Sequence, residues 1–436
     1  MIYLDHNATS FLRPAVLAAM REVEGLALNP SSVHGAGRRA RQLLEEARRE
    51  VAQAISVFPA ELTFTGSATE ANNAVLRGFL GPRFVAATEH ASIAKTGALL
   101  GADILPVDAN GLVDLAILDA KLAALGGTRA LVSVMLANNE TGVIQPIAEI
   151  ANIVHRHGGL LHTDAVQAVG KIPLDCGLLG ADMVTLGAHK IGGPVGIAAL
   201  VIRQKQAPTP LLTGGGQESG HRAGTEDVVK AVGFAALMRE VVNCPGMVEL
   251  QRLRDGMEAA LVAAGGVVMG ASITPLTSPP LAGGINKEAQ AGEINKEEKA
   301  GKIREEAQAC SVHSPSKRGE QEGGSITSRL HSAVNNVPRL PNTSMIAMPG
   351  VAAETQIMHF DLAGFAVSAG SACSSGRIAP SHVLRAMGVE EALLSSAIRI
   401  SLGWNTTEAE IHSFISAWCA TRKRLGRKSD HPLSAA

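Results

Sequence analysis

The apolar positions of this chain fall into short runs separated by segments of helical period. FVAATEH (84–90), DILPVD (103–108), RALVSVMLA (129–137), GLLHTDAV (159–166), DMVTLGAH (182–189) and GIAALVIR (196–203) have the length of strands. Leu44, Ala47, Val51 and Ala54 recur at helical spacing with charges opposite, and IAEIANIVHRHG (147–158) repeats that period. ELTFTGSATEANNAVLRG (61–78) reads as strand, turn and helix, with Ser67 and Glu70 spaced as a capping box. Alternating strands and helices predict a mostly parallel α/β sheet, whose ligands gather at strand ends. Polar residues cluster at the predicted strand ends: Glu89 and His90, Asn138 to Glu140, His162, Asp164, Gln167, and His189 with Lys190.

LGAHKIGG (186–193) is the stretch of greatest chemical interest. Lys190 follows an apolar run that reads as a buried strand, and it precedes two glycines. An ammonium is costly to bury without a partner. One reason to place it there is an amine with suppressed charge, able to form a Schiff base with an aldehyde cofactor. A surface lysine beside a glycine loop is the plain alternative. Likewise, the start of the helix near Ser67 offers amides and the Thr69 hydroxyl to a phosphate, or is an ordinary capped helix.

Composition narrows the classes. The 436 residues suggest roughly two or three domains. A hydrophobic share of 46% and mean hydropathy of +0.15 provide for a large core. A formal net charge of −1 gives no reason to expect a nucleic-acid or membrane partner, and 3% aromatics argue against base-stacking surfaces. No apolar run reaches about 18 residues. MIYLDHNATS lacks the pattern of a signal peptide. The expectation is a soluble, cytoplasmic protein. The five cysteines (176, 244, 310, 373 and 419) have an odd count and no metal-type spacing, which suits a reducing compartment and leaves room for one reactive thiol.

Residues 272–325 differ from the rest, being rich in Gly, Ser, Lys and Glu. They hold a nine-residue near-repeat, INKEAQAGE, INKEEKAGK, IREEAQACS, starting at 285, 294 and 303. Nine residues are two and a half helical turns, so the isoleucines would alternate sides and form no stripe. The segment reads as a solvated insertion, disordered or a fraying helix. The basic tail RKRLGRK reads as a solvated end.

A turn lysine, an aspartate 26 positions earlier (190 − 164) on a neighbouring strand end, a strand-end histidine and a capped helix start occur together. That set matches what pyridoxal phosphate needs. The chain resembles the cysteine desulfurases of NifS/IscS type, in the aminotransferase class V group. The resemblance is carried by YLDHNATS, NPSSVHGAG, TGSATEANN, TEHASI, NNETGVIQP, HTDAVQAVGKIPLD, GAHKIGGP, GGGQESGHRAGT, RLPNTS, SAGSACSSG and IRISLG, in that order. They span nearly the whole chain outside the insertion.

The resemblance implies a fold of the pyridoxal-phosphate aminotransferase type (fold type I). It has a large α/β domain (14–245) with a mostly parallel seven-stranded sheet, and a smaller α+β domain (1–13 and 246–436) carrying the reactive cysteine and the insertion. It also implies roles. Lys190 would carry the cofactor, Asp164 would pair with the pyridine nitrogen, and His90 would stack on the ring and move protons. Gln167 would bond the phenolic oxygen, and Ala68, Thr69 and His189 would contact the phosphate. Thr225 would reach the phosphate of the other subunit, so a homodimer is implied. Asn139, at the cofactor, and Arg399 would orient the substrate; Arg399 read alone could equally be a structural ion pair. Cys373 would be the nucleophile that takes sulfur from L-cysteine, leaving alanine and a persulfide for an acceptor or iron–sulfur scaffold protein. The same thiol is a candidate transient ligand of a cluster iron. Cys176, Cys244, Cys310 and Cys419 match no family motif.

Three departures stand out. Gly187 replaces a serine common in the family, Val195 a lysine or glutamine, and the insertion has no family counterpart. Rival readings are a selenocysteine lyase or other pyridoxal-phosphate lyase, and an inactive scaffold subunit of a sulfur-assembly complex.

Overall fold

The structure, a computed structural model, describes residues 1–203, 207–270, 337–370 and 380–426. The insertion at 272–325, Cys310, Cys373 and the end of the basic tail lie outside the described residues.

The chain opens with strand β1 (Ile2–Tyr3) and helices α1 (Pro14–Glu24) and α2 (Gly35–Ala54). Strand β2 (Leu62–Thr65) leads to α3 (Ala68–Gly78), β3 (Arg83–Ala86) to α4 (Ala91–Leu99), β4 (Asp103–Leu105) to α5 (Leu115–Ala123), and β5 (Leu131–Ser133) to α6 (Ile147–Arg156). Strands β6 (Leu160–Asp164) and β7 (Met183–Gly187) flank the one-turn helix α7 (Cys176–Leu179), and β8 (Ala198–Ile202) follows. These seven strands, β2 to β8, form one sheet in the order β2-β8-β7-β6-β5-β3-β4. Pairs from β4 across to β7 are parallel, and β8 runs antiparallel between β7 and β2. The mostly parallel sheet expected from the pattern is therefore present.

Covered faces explain why the strands read as unbroken apolar runs. Every residue of β5, β6, β7 and β8 is buried. Several runs outlast their strands. After Ser133, the amides of Val134 and Leu136 still bond to the His162 and Asp164 carbonyls. This carries the chain to Asn138, beyond the C-terminal end of β5.

Further on come α8 (Val228–Val241), α9 (Met247–Ala263), β9 (Val267–Val268), β10 (Thr343–Ala347), α10 (Ala353–Leu362), β11 (Phe365–Ala366), α11 (His382–Ala386), α12 (Glu391–Leu394), β12 (Ala397–Ser401) and α13 (Glu408–Leu425). Strands β12, β10 and β9 form a three-stranded antiparallel sheet, and β1 pairs with β11. Leu4 joins Met257, Ile346, Ile398, Phe360, Phe414 and Trp418 in a second hydrophobic core, separate from the one around the large sheet. The tail reading needs adjustment. Arg422, Lys423 and Arg424 form the last turn of α13, where cations complement the helix dipole. The Arg422 guanidinium also lies 5.8 Å from the Trp418 ring centroid.

Candidate active site

The lysine turn is built by close packing. The Ala188 carbonyl accepts from Ile191 N at 3.3 Å and Gly193 N at 3.0 Å, so the chain reverses at once after β7. Gly192 has φ +95°, and a Cβ there would lie 2.7 Å from Arg13 Cγ. A Cβ on Gly193 would lie 2.5 Å from Leu237 Cδ2. The two glycines are thus required by conformation and space. Lys190 projects from this turn, and its Nζ donates to the Ala8 carbonyl at 2.8 Å. Burial, then Arg399, lowers its pKa to about 8, with Asp5 and Asp164 opposing. The amine is therefore partly unprotonated near neutrality.

Asp164 ends β6, opposite Thr185 of β7, so Asp164 and Lys190 leave the sheet from adjacent strands. Its carboxylate accepts from Val166 N (3.0 Å) and from Asn72 Nδ2 (2.7 Å). Asn72, fully buried on α3, also donates to Ser92 Oγ at 2.9 Å. The acid is thus tied to α3, and through Ser92 to α4.

His90 caps α4. Its Nδ1 accepts from Ser92 N at 3.2 Å and meets Ser92 Oγ at 2.8 Å, leaving Nε2 without a partner among the described residues. The residue as a whole is exposed. Desolvation lowers its pKa; Asp164 opposes, and Lys190 and His382 add to the fall. His162, by contrast, is inside the sheet between Ser133 Oγ (2.9 Å) and Thr185 Oγ1 (3.0 Å), with its pKa lowered by burial to about 4.

Ser67 caps α3, accepting from Glu70 N at 3.1 Å. Only half of the expected capping box forms. The Glu70 carboxylate turns to Gly66 N (2.9 Å) and Arg222 Nε (2.9 Å). The amides of Ala68 and Thr69, at the start of the helix, have no intrahelical acceptor, and Thr69 is exposed. His189 Nδ1 meets Thr9 Oγ1 at 3.3 Å, and burial, then Lys190 and Lys171, lowers its pKa to about 4.

Gln167 donates from Nε2 to the Asn7 carbonyl (3.0 Å) and accepts at Oε1 from Lys171 Nζ (2.7 Å). The Asn139 carbonyl accepts from Asn7 Nδ2 and from Arg399 Nη1, both at 3.1 Å. Arg399 also pairs with Asp5 at 2.7 Å, while its buried Nε has no partner among the described residues. Arg399 is thus both a member of this group and half of an ion pair.

Thr225 is exposed on the segment 217–226. That segment is pinned by the Glu218 carboxylate, which takes Arg48 at 2.6 and 2.8 Å and Phe64 N at 2.8 Å. At Gly187, a Cβ would lie 3.1 Å from Val166 Cγ1, so a side chain there would need Val166 to shift by a few tenths of an ångström. Val195 is 68% exposed. Cys176 is buried, with its pKa raised by burial to about 12, and Cys244 is raised likewise to about 11. Neither has the marks of a nucleophile.

The described residues flanking the Cys373 segment abut the same group. Ser381 Oγ donates to Glu140 Oε2 at 2.5 Å, a Cβ on Gly370 would collide with that carboxylate, and His382 Nε2 meets the Glu89 carbonyl at 2.9 Å. Burial raises the Glu140 pKa, and Ser381 opposes. Sequence reading did not single out Asn7, Asn72 or Lys171. A lysine within AVQAVGKIP is the one signal of the three that apolar flanks could have raised.

Known proteins resemble this chain over most of its length. Residues 2–263 match the aminotransferase class-V family. A cysteine desulfurase of a Nostoc species is 35% identical over 98% of this chain and 94% of its own. One from Cereibacter sphaeroides is 36% identical over 94% of this chain and 92% of its own. The solved NifS-like protein of Rickettsia africae superposes with a TM-score of 0.77 at 32% identity, covering 97% of this chain and 99% of that one. The chain belongs to the aminotransferase class-V family and, within it, to the cysteine desulfurases of NifS/IscS type.

Proposed function

We propose that this protein is a pyridoxal-phosphate-dependent desulfurase that takes sulfur from L-cysteine, releases L-alanine and keeps the sulfur as a persulfide on Cys373. The observation that carries the reading is Lys190, an amine with pKa near 8, beside Asp164 at the ends of two adjacent strands. The donor set fits the cofactor. An unprotonated amine suits its aldehyde, and a carboxylate held by two N–H donors suits its ring N–H. The start of α3 with Thr69 and His189 suits its phosphate. The Arg399 guanidinium and the donor amine of Lys171 suit a group that brings several negative charges.

Pyridoxal phosphate, when bound, supplies an aldehyde that joins the substrate amine and a ring that accepts electrons from Cα. Lys190 would hold it, then take the Cα proton as a base. Asp164 would keep the ring nitrogen protonated, His90 would lie against the ring with Nε2 free to pass a proton, and Gln167 would donate to the phenolic oxygen. Asn139 and the Nε of Arg399 would orient the cysteine carboxylate. The Cys373 thiolate would attack the substrate sulfur. An S–S bond would form as the C–S bond breaks, and the carbon fragment would take a proton at Cβ, regain one at Cα from Lys190 and leave as alanine.

Thr225, exposed on its pinned segment, would serve the phosphate site of a second copy, which makes the active form a homodimer. Transfer of the persulfide to an acceptor or iron–sulfur scaffold protein in the cytoplasm completes the reading. No helix among the described residues is long and apolar enough to cross a membrane. Two variants test the assignments. Cys373→Ala should retain the yellow cofactor absorbance yet form no alanine, and undiminished alanine formation would refute the nucleophile. Lys190→Ala should lose the normal visible band with cofactor alone, and a retained band would refute the anchor.

A further inference from the structure

Lys171 is fully buried, and its amine touches no carboxylate among the described residues. Its two partners are neutral amide oxygens, Gln167 Oε1 and Asn7 Oδ1, each at 2.7 Å. Burial, then Lys190 and Arg399, pushes the pKa of this amine well below the ordinary lysine value. Lys171 in turn lowers the pKa of His6 and His189. A buried amine so placed invites a functional explanation.

The amides show what the amine does. Asn7 Nδ2 donates to the Asn139 carbonyl (3.1 Å) and Thr343 Oγ1 (2.9 Å), so its oxygen faces Lys171. Lys171 donates to Gln167, which places the Gln167 oxygen toward the lysine and its nitrogen away. One Gln167 N–H reaches the Asn7 carbonyl at 3.0 Å. The other has no acceptor among the described residues. Without the lysine, the Asn7 carbonyl alone would hold the amide in this orientation.

We propose that Lys171 is a positioning residue that fixes the orientation of the Gln167 amide, so that an N–H and not a carbonyl faces the cofactor's phenolic oxygen. The inference rests on the reading of Gln167 as a cofactor contact. A phenolate accepts hydrogen bonds, so the correct orientation attracts and the reverse repels. The negative charge that Lys171 lacks in the protein would arrive with the cofactor.

The test titrates apo-protein with pyridoxal phosphate and follows the visible band of the loaded protein against pH. Lys171→Met should weaken cofactor binding about tenfold, one good hydrogen bond to a charged acceptor. The pH midpoint of the visible band should rise by about one unit. Lys171→Gln, which keeps a donor without the charge, should fall between wild type and Lys171→Met, and carries the test if Lys171→Met does not fold. Gln167→Leu should also weaken binding. Adding Lys171→Met to it should cost no more than about a further threefold, because the lysine acts through the glutamine. Lysine variants with lowered melting temperature but wild-type affinity and band midpoint would overturn the proposal. So would fully multiplicative losses in the double variant. Failure of the wild-type protein to bind the cofactor would instead overturn the functional reading beneath it.

Discussion

Asn72 Nδ2, on helix α3, lies 2.7 Å from Asp164 Oδ2 at the end of strand β6 and fixes the carboxylate. With Val166 N on the other oxygen, this holds the acid at one rotamer beside the lysine turn. An acid that must meet a ring N–H benefits from such support. Asn72→Ala should weaken pyridoxal-phosphate binding by about 3- to 10-fold, the scale of one hydrogen bond to a charged group. Asp164→Asn should cost more, since it removes the charge itself. A cofactor titration of both variants checks this, and wild-type affinity in Asn72→Ala would contradict it.

Lys190 sets a second expectation. Its pKa near 8 means that the free amine falls about tenfold per pH unit below that value. Capture of the cofactor aldehyde needs the free amine. The rate at which apo-protein takes up pyridoxal phosphate should rise about tenfold from pH 7 to pH 9, with its midpoint near 8. Arg399→Leu should move the midpoint upward, because a repelling cation is removed. A midpoint near the usual lysine value in the parent protein would contradict the account.

His162 gives a stability prediction. Its folded pKa of about 4 lies below the ordinary histidine value of 6.5. The unfolded chain therefore binds the extra proton first as pH falls. The stability linked to this residue is present above pH 6.5 and is lost as pH drops towards 4. The buried acid Glu89, with its pKa raised by burial and then by Asp164, acts in the opposite direction. A difference measurement isolates the histidine. In urea unfolding at pH 7 and pH 5, His162→Asn should lose less stability on acidification than the parent. Equal losses would contradict a neutral buried imidazole.

The sheet was legible because both of its faces are covered, so each central strand reads as an apolar run with polar residues at its end. Lys190 and Asp164 could be placed from spacing because β6 and β7 are neighbours in both sequence and sheet. The supports were not legible. Asn7 reaches Thr343 and Asn139 across the fold, and Asn72 reaches Asp164 over 92 positions, contacts that no local pattern encodes. Glu70 obeyed the spacing rule for a capping box, yet its carboxylate was drawn to Arg222, 152 positions away. Gly187 stands where the family often has a serine, and only the structure shows that a Cβ there would lie 3.1 Å from Val166 Cγ1.

The segment bearing Thr225 depends on a buried ion pair. Arg48 and Glu218 have side chains 9% and 1% exposed, and Glu218 adopts φ +48° to reach its partner. Removing Glu218 leaves the buried Arg48 with only the half-exposed Glu45 at 3.2 Å and the Leu62 carbonyl, at a cost of up to about 3–5 kcal/mol. Glu218→Ala should lower stability by roughly that amount and weaken formation of the proposed homodimer at low concentration. Chemical denaturation and sedimentation check the two effects, and a change under about 1 kcal/mol would contradict the structural role.

The most direct measurement gives the purified, cofactor-loaded protein a limited amount of L-cysteine, quantifies alanine, and weighs the peptide that holds Cys373. The account predicts one alanine formed for each sulfur atom gained, with the gain on Cys373 and removed by a thiol reductant. Alanine formed with no added sulfur on that peptide, or pyruvate and free sulfide in place of alanine, would contradict it.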